Sequence, residues 1–123
     1  MMKTKIDQFI SWLDGQAADC ENRKKKLLED DRIDESVFEK IKINVYDIFR
    51  TILLAGEKTS NGDAQKLKEF FLLKLEQIPA HWIASYNKAK QNDDIEKMQI
   101  ESLKLDTVQA IRAKFLQNWE ERA

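Results

Sequence analysis

From about Thr4 to Leu28, the apolar residues Ile6, Phe9, Ile10, Leu13, Ala17, Cys20, Leu27 and Leu28 recur every three or four positions. At about 100° per residue they fall in one stripe roughly 100° wide, the pattern of a helix with one face on a core. Gly15 lies on the opposite face and the stripe keeps its phase across it, so one continuous helix is predicted. Thr4 and Asp7 supply the start signal, a hydroxyl that accepts an early backbone N–H and a carboxylate near the positive helix end.

The charged stretch from Glu29 to Asp34 lacks this spacing and reads as a turn. A second stripe follows in Val37, Phe38, Ile41, Val45, Ile48, Phe49, Ile52 and Leu53. Ser36-x-x-Glu39 or Asp34 is positioned to cap its start, and Gly56 to close its end in a left-handed conformation. The run Ile41-Lys42-Ile43-Asn44-Val45 alternates like a strand, but no second strand exists to pair with it, so helix is the reading preferred.

Lys58 to Asp63 is the clearest loop, because Asn61-Gly62 favours positive φ and Ser60, Asn61 or Asp63 can cap the next helix. That third helix, from about Ala64 to Gln77, carries Leu67, Phe70, Phe71, Leu75 and Ile78 on one side, with Leu72 and Leu73 outside the stripe. Pro79 removes a backbone donor and biases Ile78 away from helical geometry, so a break is expected there. A short helix with Trp82, Ile83, Tyr86 and Ala89 follows it, and Asn92 to Asp94 then reads as a turn. The last helix is predicted from about Asp94 to Glu121, started by Asp93-x-x-Glu96. Its main stripe is Met98, Leu105, Val108, Phe115, Leu116 and Trp119, with Ile95, Ile100, Leu103 and Ile111 off that line and Glu101 and Arg112 at its margin.

No internal repeat and no low-complexity linker is visible. The architecture expected is all-α: an antiparallel bundle of four principal helices, the third broken or kinked at Pro79, forming one domain over residues 1–123.

Composition supports this picture and narrows the partners. Of 123 residues, 42% are apolar, enough for one core, and 35% are charged. Lysine and arginine number 21 against 22 acidic residues, leaving a net charge of −1 and no global field to draw in nucleic acid or anionic lipid. The basic run Arg23-Lys24-Lys25-Lys26 is followed at once by Glu29, Asp30 and Asp31, which offset it. No apolar run exceeds four residues such as Phe70 to Leu73, far short of the roughly 18 that span a bilayer. Neither nucleic acid nor membrane is therefore an expected partner. Cys20 is the sole cysteine, which excludes an internal disulfide, and the N-terminal residues lack the apolar core of a signal peptide, so a cytoplasmic home is expected.

His81 is the only histidine, which removes the two-histidine and multi-ligand metal motifs. The acidic clusters at Asp30 to Glu35 and at Asp93 to Glu96 lack the spacing and glycine of an EF-hand loop and read as solvated helix ends. Cys20 shares an apolar stripe, where a thiol is usually an inert core residue. Gly15, Gly56 and Gly62 stand too far apart for a phosphate-binding loop. No catalytic residue, metal ligand or cofactor is expected.

What remains is an apolar surplus. Ile43 and Leu54 lie off the stripe of the second helix with Tyr46 at its edge; Leu73 does the same on the third; Trp12 stands outside the first stripe; and Trp82 and Tyr86 follow Pro79. These seven are the candidate interface, since edge aromatics are enriched where proteins meet. The function expected is a non-enzymatic helical interaction module whose partner is another protein or a second copy. Two other readings stand beside it. One is an immunity- or antitoxin-like inhibitor, supported by size and fold class alone; the other is a small-molecule-binding or catalytic bundle with a pocket near His81, Trp82 and Tyr86.

Overall fold

The computed structural model of the chain describes residues 2–120 as four α-helices: α1 (Met2–Glu29), α2 (Ile33–Ser60), α3 (Ala64–Gln91) and α4 (Ile95–Glu120). Three-residue connections join them, which forces each helix to run antiparallel to the one before. α2 packs against all three others, α1 against α2 and α4, and α3 against α2 and α4. Glu121, the expected end of the last helix, lies outside the described residues.

The four stripes converge on one core. Each helix contributes one fully buried phenylalanine, Phe9, Phe49, Phe71 and Phe115. Phe71 joins them, with ring centroids 5.8 Å from Phe9, 6.0 Å from Phe49 and 4.5 Å from Phe115. Edge-on and tilted contacts of this kind add to the burial of the rings.

Four local expectations are corrected. The first is the break at Pro79: α3 runs through it without interruption, and the proline is buried. The missing N–H costs on the order of 3 kcal/mol, but Leu75 before it and Ala89 after it are both buried, and Trp82 packs against the core. Packing on both sides therefore outweighs the local penalty. The second is Gly56, which does not end α2. It is buried at mid-contact with α3, where an added Cβ would lie 2.7 Å from Phe70 and 2.8 Å from Leu67; here glycine serves close approach. The actual closure comes later, at Asn61 (φ 51°) and Gly62 (φ 83°).

The third is Ser36-x-x-Glu39, which is not a capping box. Ser36 already lies inside the helix and donates to the carbonyl of Ile33 at 2.6 Å, while Glu39 turns inward. Thr4 likewise lies inside α1, not at its cap. Asp63, by contrast, caps α3 as expected, accepting from Gln65 N and Lys66 N at 3.0 and 3.1 Å.

The fourth correction is an internal repeat. Ile33 opens α2 and Ile95 opens α4, 62 positions later, and the preceding turns are the same structure at the same offset. In the first, Arg32 N donates to Leu27 O at 2.8 Å and Asp31 N to Leu28 O at 3.1 Å. In the second, Asp94 N donates to Ala89 O at 2.8 Å and Asp93 N to Lys90 O at 3.3 Å. Both are Schellman closures, with aspartates at φ 57° and 54° in the left-handed position usually held by glycine. Aligned at that offset without a gap, the halves share Phe9/Phe71, Leu13/Leu75, Ala18/Ala80, Lys26/Lys88, Asp31/Asp93, Ile33/Ile95, Glu39/Glu101, Lys42/Lys104, Arg50/Arg112 and Leu54/Leu116. The buried set follows the same register, pairing Tyr46 with Val108, Phe49 with Ile111 and Leu53 with Phe115. The molecule is a helical hairpin, α1–α2, followed by a second hairpin, α3–α4, of the same construction.

Candidate functional site

The two ends of the bundle are packed differently. The end that holds the Asn61–Asp63 loop is filled by Ile6, Phe9, Leu53, Leu67, Phe71 and Phe115, all buried. The opposite end, formed by the turns at Asp30–Arg32 and Asn92–Asp94, buries chiefly small or charged residues: Cys20, Ser36, Glu39, Ala89 and Glu101. Its larger apolar residues stay out. Ile33 is 61% exposed and Ile95 67%, with Leu28 and Val37 also exposed.

At this turn end α1 brings Cys20, Arg23 and Leu27 to one face, because residues three or four apart on a helix are neighbours. α2 contributes Phe38, Glu39 and Lys42 by the same rule. Between them and α4 lies an open recess of about 450 Å³ lined by Leu27, Glu35, Phe38, Glu39, Lys42, Gln99 and Leu103. A second recess of about 440 Å³, lined by Arg23, Lys26, Leu27, Asp30, Arg32, Glu35 and Glu39, shares Leu27, Glu35 and Glu39 with it. Glu39 thus sits where the two meet.

Glu39 is only 7% exposed, and its Oε1 accepts from Arg23 Nε at 3.0 Å and from Lys42 Nζ at 3.2 Å. Its Oε2 is buried without a hydrogen-bond partner. Burial pushes the carboxyl pKa up, but the hydrogen bonds from Arg23 and then Lys42 outweigh it and hold the group below the usual carboxylate range. Arg23 Nη2 also donates to Cys20 Sγ at 3.2 Å. Burial, then the charge of Glu39, raises the Cys20 pKa, so the thiol stays protonated at neutral pH. Burial raises the Tyr46 hydroxyl in the same way, with a further push from Cys20. The cluster is therefore an ionised carboxylate clamped by two cations, its second oxygen sealed from solvent.

The second hairpin holds the counterpart, differently furnished. Glu101 is buried, accepts from Lys104 at 3.3 Å, and likewise leaves its Oε2 without a partner. Ser85 stands where the first hairpin has Arg23, however, and Trp82 where it has Cys20. Lys104 Nζ lies over the Trp82 ring, 5.6 Å from its centroid. Glu101 therefore has one cation beside it where Glu39 has two.

The seven candidate interface residues differ in exposure. Trp12 is half-buried and meets Tyr46 edge-on at 6.1 Å, and Tyr46 itself is buried. Ile43 and Trp82 are half-buried against the core, and Leu54 is half-buried on α2. Leu73 stands exposed on α3. Tyr86 lines a further recess of about 360 Å³ with Ile95, Met98, Gln99, Ser102, Leu103 and Asp106; His81, expected near that pocket, is exposed on α3 and does not line it.

Sequence reasoning missed Glu39, because a glutamate three residues after a serine near a helix start reads as a capping partner. The signal that finds it is its recurrence at a fixed offset: beside Glu21–Lys24, Glu-x-x-Lys stands at Glu39–Lys42 and again 62 positions on at Glu101–Lys104, at the edge of an apolar stripe both times. No helix among the described residues is long and apolar enough to cross a membrane. Compared with protein-family models, curated proteins and solved structures, the chain matches none.

Proposed function

We propose that this protein is a non-enzymatic helical interaction module of the cytoplasm that engages a protein partner, or a second copy of itself, through the turn end of the bundle. The observation that carries this reading is the exposure of Ile33 and Ile95, each the first residue of its helix, at equivalent places in both hairpins. With Leu28 and Val37 they give the turn end an apolar surface that the core does not use. Exposed apolar residues concentrated at one end of a molecule are a feature of interaction sites.

The test uses the double variant Ile33→Glu/Ile95→Glu, which changes only exposed positions. Sedimentation velocity over a concentration series, and capture on immobilised protein, are run on wild type and variant together. The reading expects an association, with itself or with a defined protein, that is present for wild type and lost in a variant of unchanged helicity and unfolding midpoint. A strict monomer whose captured proteins are the same for both forms overturns it.

A second reading, a small-molecule-binding bundle, is favoured by the open recess of about 450 Å³ walled by Leu27, Phe38 and Leu103.

A further inference from the structure

We infer that the outer face of α2 is a self-association surface, on which a second copy of this chain lays its own α2 antiparallel to the first. At about 100° per residue, Ile33, Val37, Ile41, Ile48 and Ile52 fall within one sector of the helix. The fold buries none of them fully: Ile33, Val37 and Ile48 are 61%, 46% and 37% exposed, and Ile41 and Ile52 are half-buried. The core is served instead by Val45, Phe49 and Leu53, on another side of α2. The remaining positions of the sector, Asn44, Thr51, Ala55 and Thr59, are exposed, and from Val37 to Thr59 no charged side chain falls within it. The repeat shows that a hairpin of this construction does not need such a stripe. At the matching positions of α4, Val37 gives way to Gln99, Asn44 to Asp106, Ile52 to Lys114 and Ala55 to Gln117.

The order of side-chain sizes selects the occupant. In a two-fold dimer residue i meets j and j meets i. With two antiparallel copies of α2 centred on position 46, Ile33 stands opposite Thr59, Val37 opposite Ala55, Ile41 opposite Thr51 and Asn44 opposite Ile48, each pair formed twice. Every level then sets a larger side chain against a smaller one, which keeps the helices evenly spaced along about 39 Å at the usual rise per residue. A parallel pair would stack isoleucine on isoleucine at one end and threonine or alanine on themselves at the other, and the helices would splay. The stripe thus supplies, in reverse order, the shape that it requires, and opposed helix dipoles favour the same orientation. A strip of that length and about 10 Å wide covers on the order of 400 Å² per copy, below the standard interface, so the dimer forms as concentration rises and is not permanent. The stripe shares Ile33 and Val37 with the turn end but runs away from it along α2, and Ile95, on α4, is not part of it.

Sedimentation velocity on the full chain, from micromolar to millimolar concentration, reads the association, with helicity and urea midpoint measured alongside. The wild type is expected to pass from monomer to dimer. Ile48→Glu weakens the dimer about tenfold or more, because its carboxylate enters an uncharged contact twice per dimer. Asn44→Leu, at an exposed position, tightens it. Ile95→Glu, which probes the turn end, leaves this dimer unchanged, so the two surfaces fail separately. The register is read by oxidising cysteine variants with copper phenanthroline, Cys20 itself being buried. Chains carrying Val37→Cys mixed with chains carrying Ala55→Cys yield a crosslinked heterodimer, while Val37→Cys alone yields none. A wild type that stays monomeric at millimolar concentration overturns the inference, as does a dimer indifferent to Ile48→Glu or crosslinking of Val37→Cys to itself. Loss of the dimer in Ile95→Glu assigns self-association to the turn end and overturns it as well.

Discussion

The two ends of this bundle have the same helices and opposite interiors. Towards the Asn61–Asp63 loop, four phenylalanines and a shell of leucines and isoleucines close the space between all four helices. That end is also tied across the chain: Asn118 Nδ2 donates to the Lys5 carbonyl at 3.0 Å, Lys5 Nζ donates to the Trp119 carbonyl, and Lys68 pairs with Glu120 at 2.6 Å. At the turn end the buried residues are a thiol, a serine, an alanine and two glutamates, while the isoleucines that open α2 and α4 face outward. One end is built for stability. The other gives up apolar burial for polar groups, and buried ion pairs contribute little net stability compared with hydrophobic residues of similar volume. Glu39–Lys42 and Glu101–Lys104 recur at the same place in both hairpins, and both glutamates are buried there.

If the closed end holds the fold, damage there is the most costly. Phe71→Ala, which removes the ring that touches Phe9, Phe49 and Phe115, is expected to lose about 3–5 kcal/mol, measured by urea unfolding. A loss under about 1 kcal/mol would show that the four rings are not the keystone of the core. Gly56→Ala is expected to lose about 1–2 kcal/mol even though alanine is the better helix former by about 1 kcal/mol. The new methyl meets the side chains of Leu67 and Phe70; a gain in stability would mean that those side chains yield freely.

The turn end should respond to pH more than to truncation. The Glu39 carboxyl is held below its ordinary value in the fold, so its ionised form stabilises the protein above the unfolded pKa, near 4.3, and that contribution disappears as pH falls through the folded value. Cys20 and Tyr46 are raised, so they contribute below their unfolded values, about 8.5 and 10, and that contribution is lost as pH climbs past them. Glu39→Met is expected to flatten the acid limb of the urea midpoint against pH and to cost about 1–3 kcal/mol at pH 7, since it leaves Arg23 and Lys42, both partly in solvent, without their carboxylate. An acid limb as steep as that of the wild type would show that these ion pairs carry no pH-dependent stability. Cys20→Ala should remove the first part of the alkaline limb. Smallest of all, Ile33→Glu and Ile95→Glu should each change stability by no more than about 0.5 kcal/mol, since both side chains are largely in solvent.

Much of the fold was legible because it depends on periodicity. The helix class, the turn near Asp31, the Asn61-Gly62 loop and the Asp63 cap all follow from short-range rules that operate within one or two turns of chain. The misreadings share one cause. Pro79, Gly56 and Ser36-x-x-Glu39 each have a strong local meaning, as breaker, terminator and capping box, and in each case a neighbour from another part of the chain overrides it. Core packing carries α3 past Pro79; the approach of Leu67 and Phe70 requires Gly56 inside α2; Arg23 draws Glu39 inward. Off-stripe position marks Trp12, Tyr46 and Leu73 alike, and packing separates them: Trp12 and Tyr46 meet each other, while Leu73 is exposed.

The repeat lies between these cases. Its identities are in the sequence, yet sparse enough to pass unnoticed until the openings of α2 and α4 and the two Schellman turns supply the register. Four amphipathic segments, their approximate bounds and the charge balance were readable from the chain unaided, because these depend on residue type and spacing. Packing then determined which stripe residues are sealed, that two glutamates are buried with an unpaired oxygen each, and that one of them borders an open recess. Those outcomes depend on which side chains meet across helices, and a 62-residue separation along the chain carries no information about contact until the helices are packed.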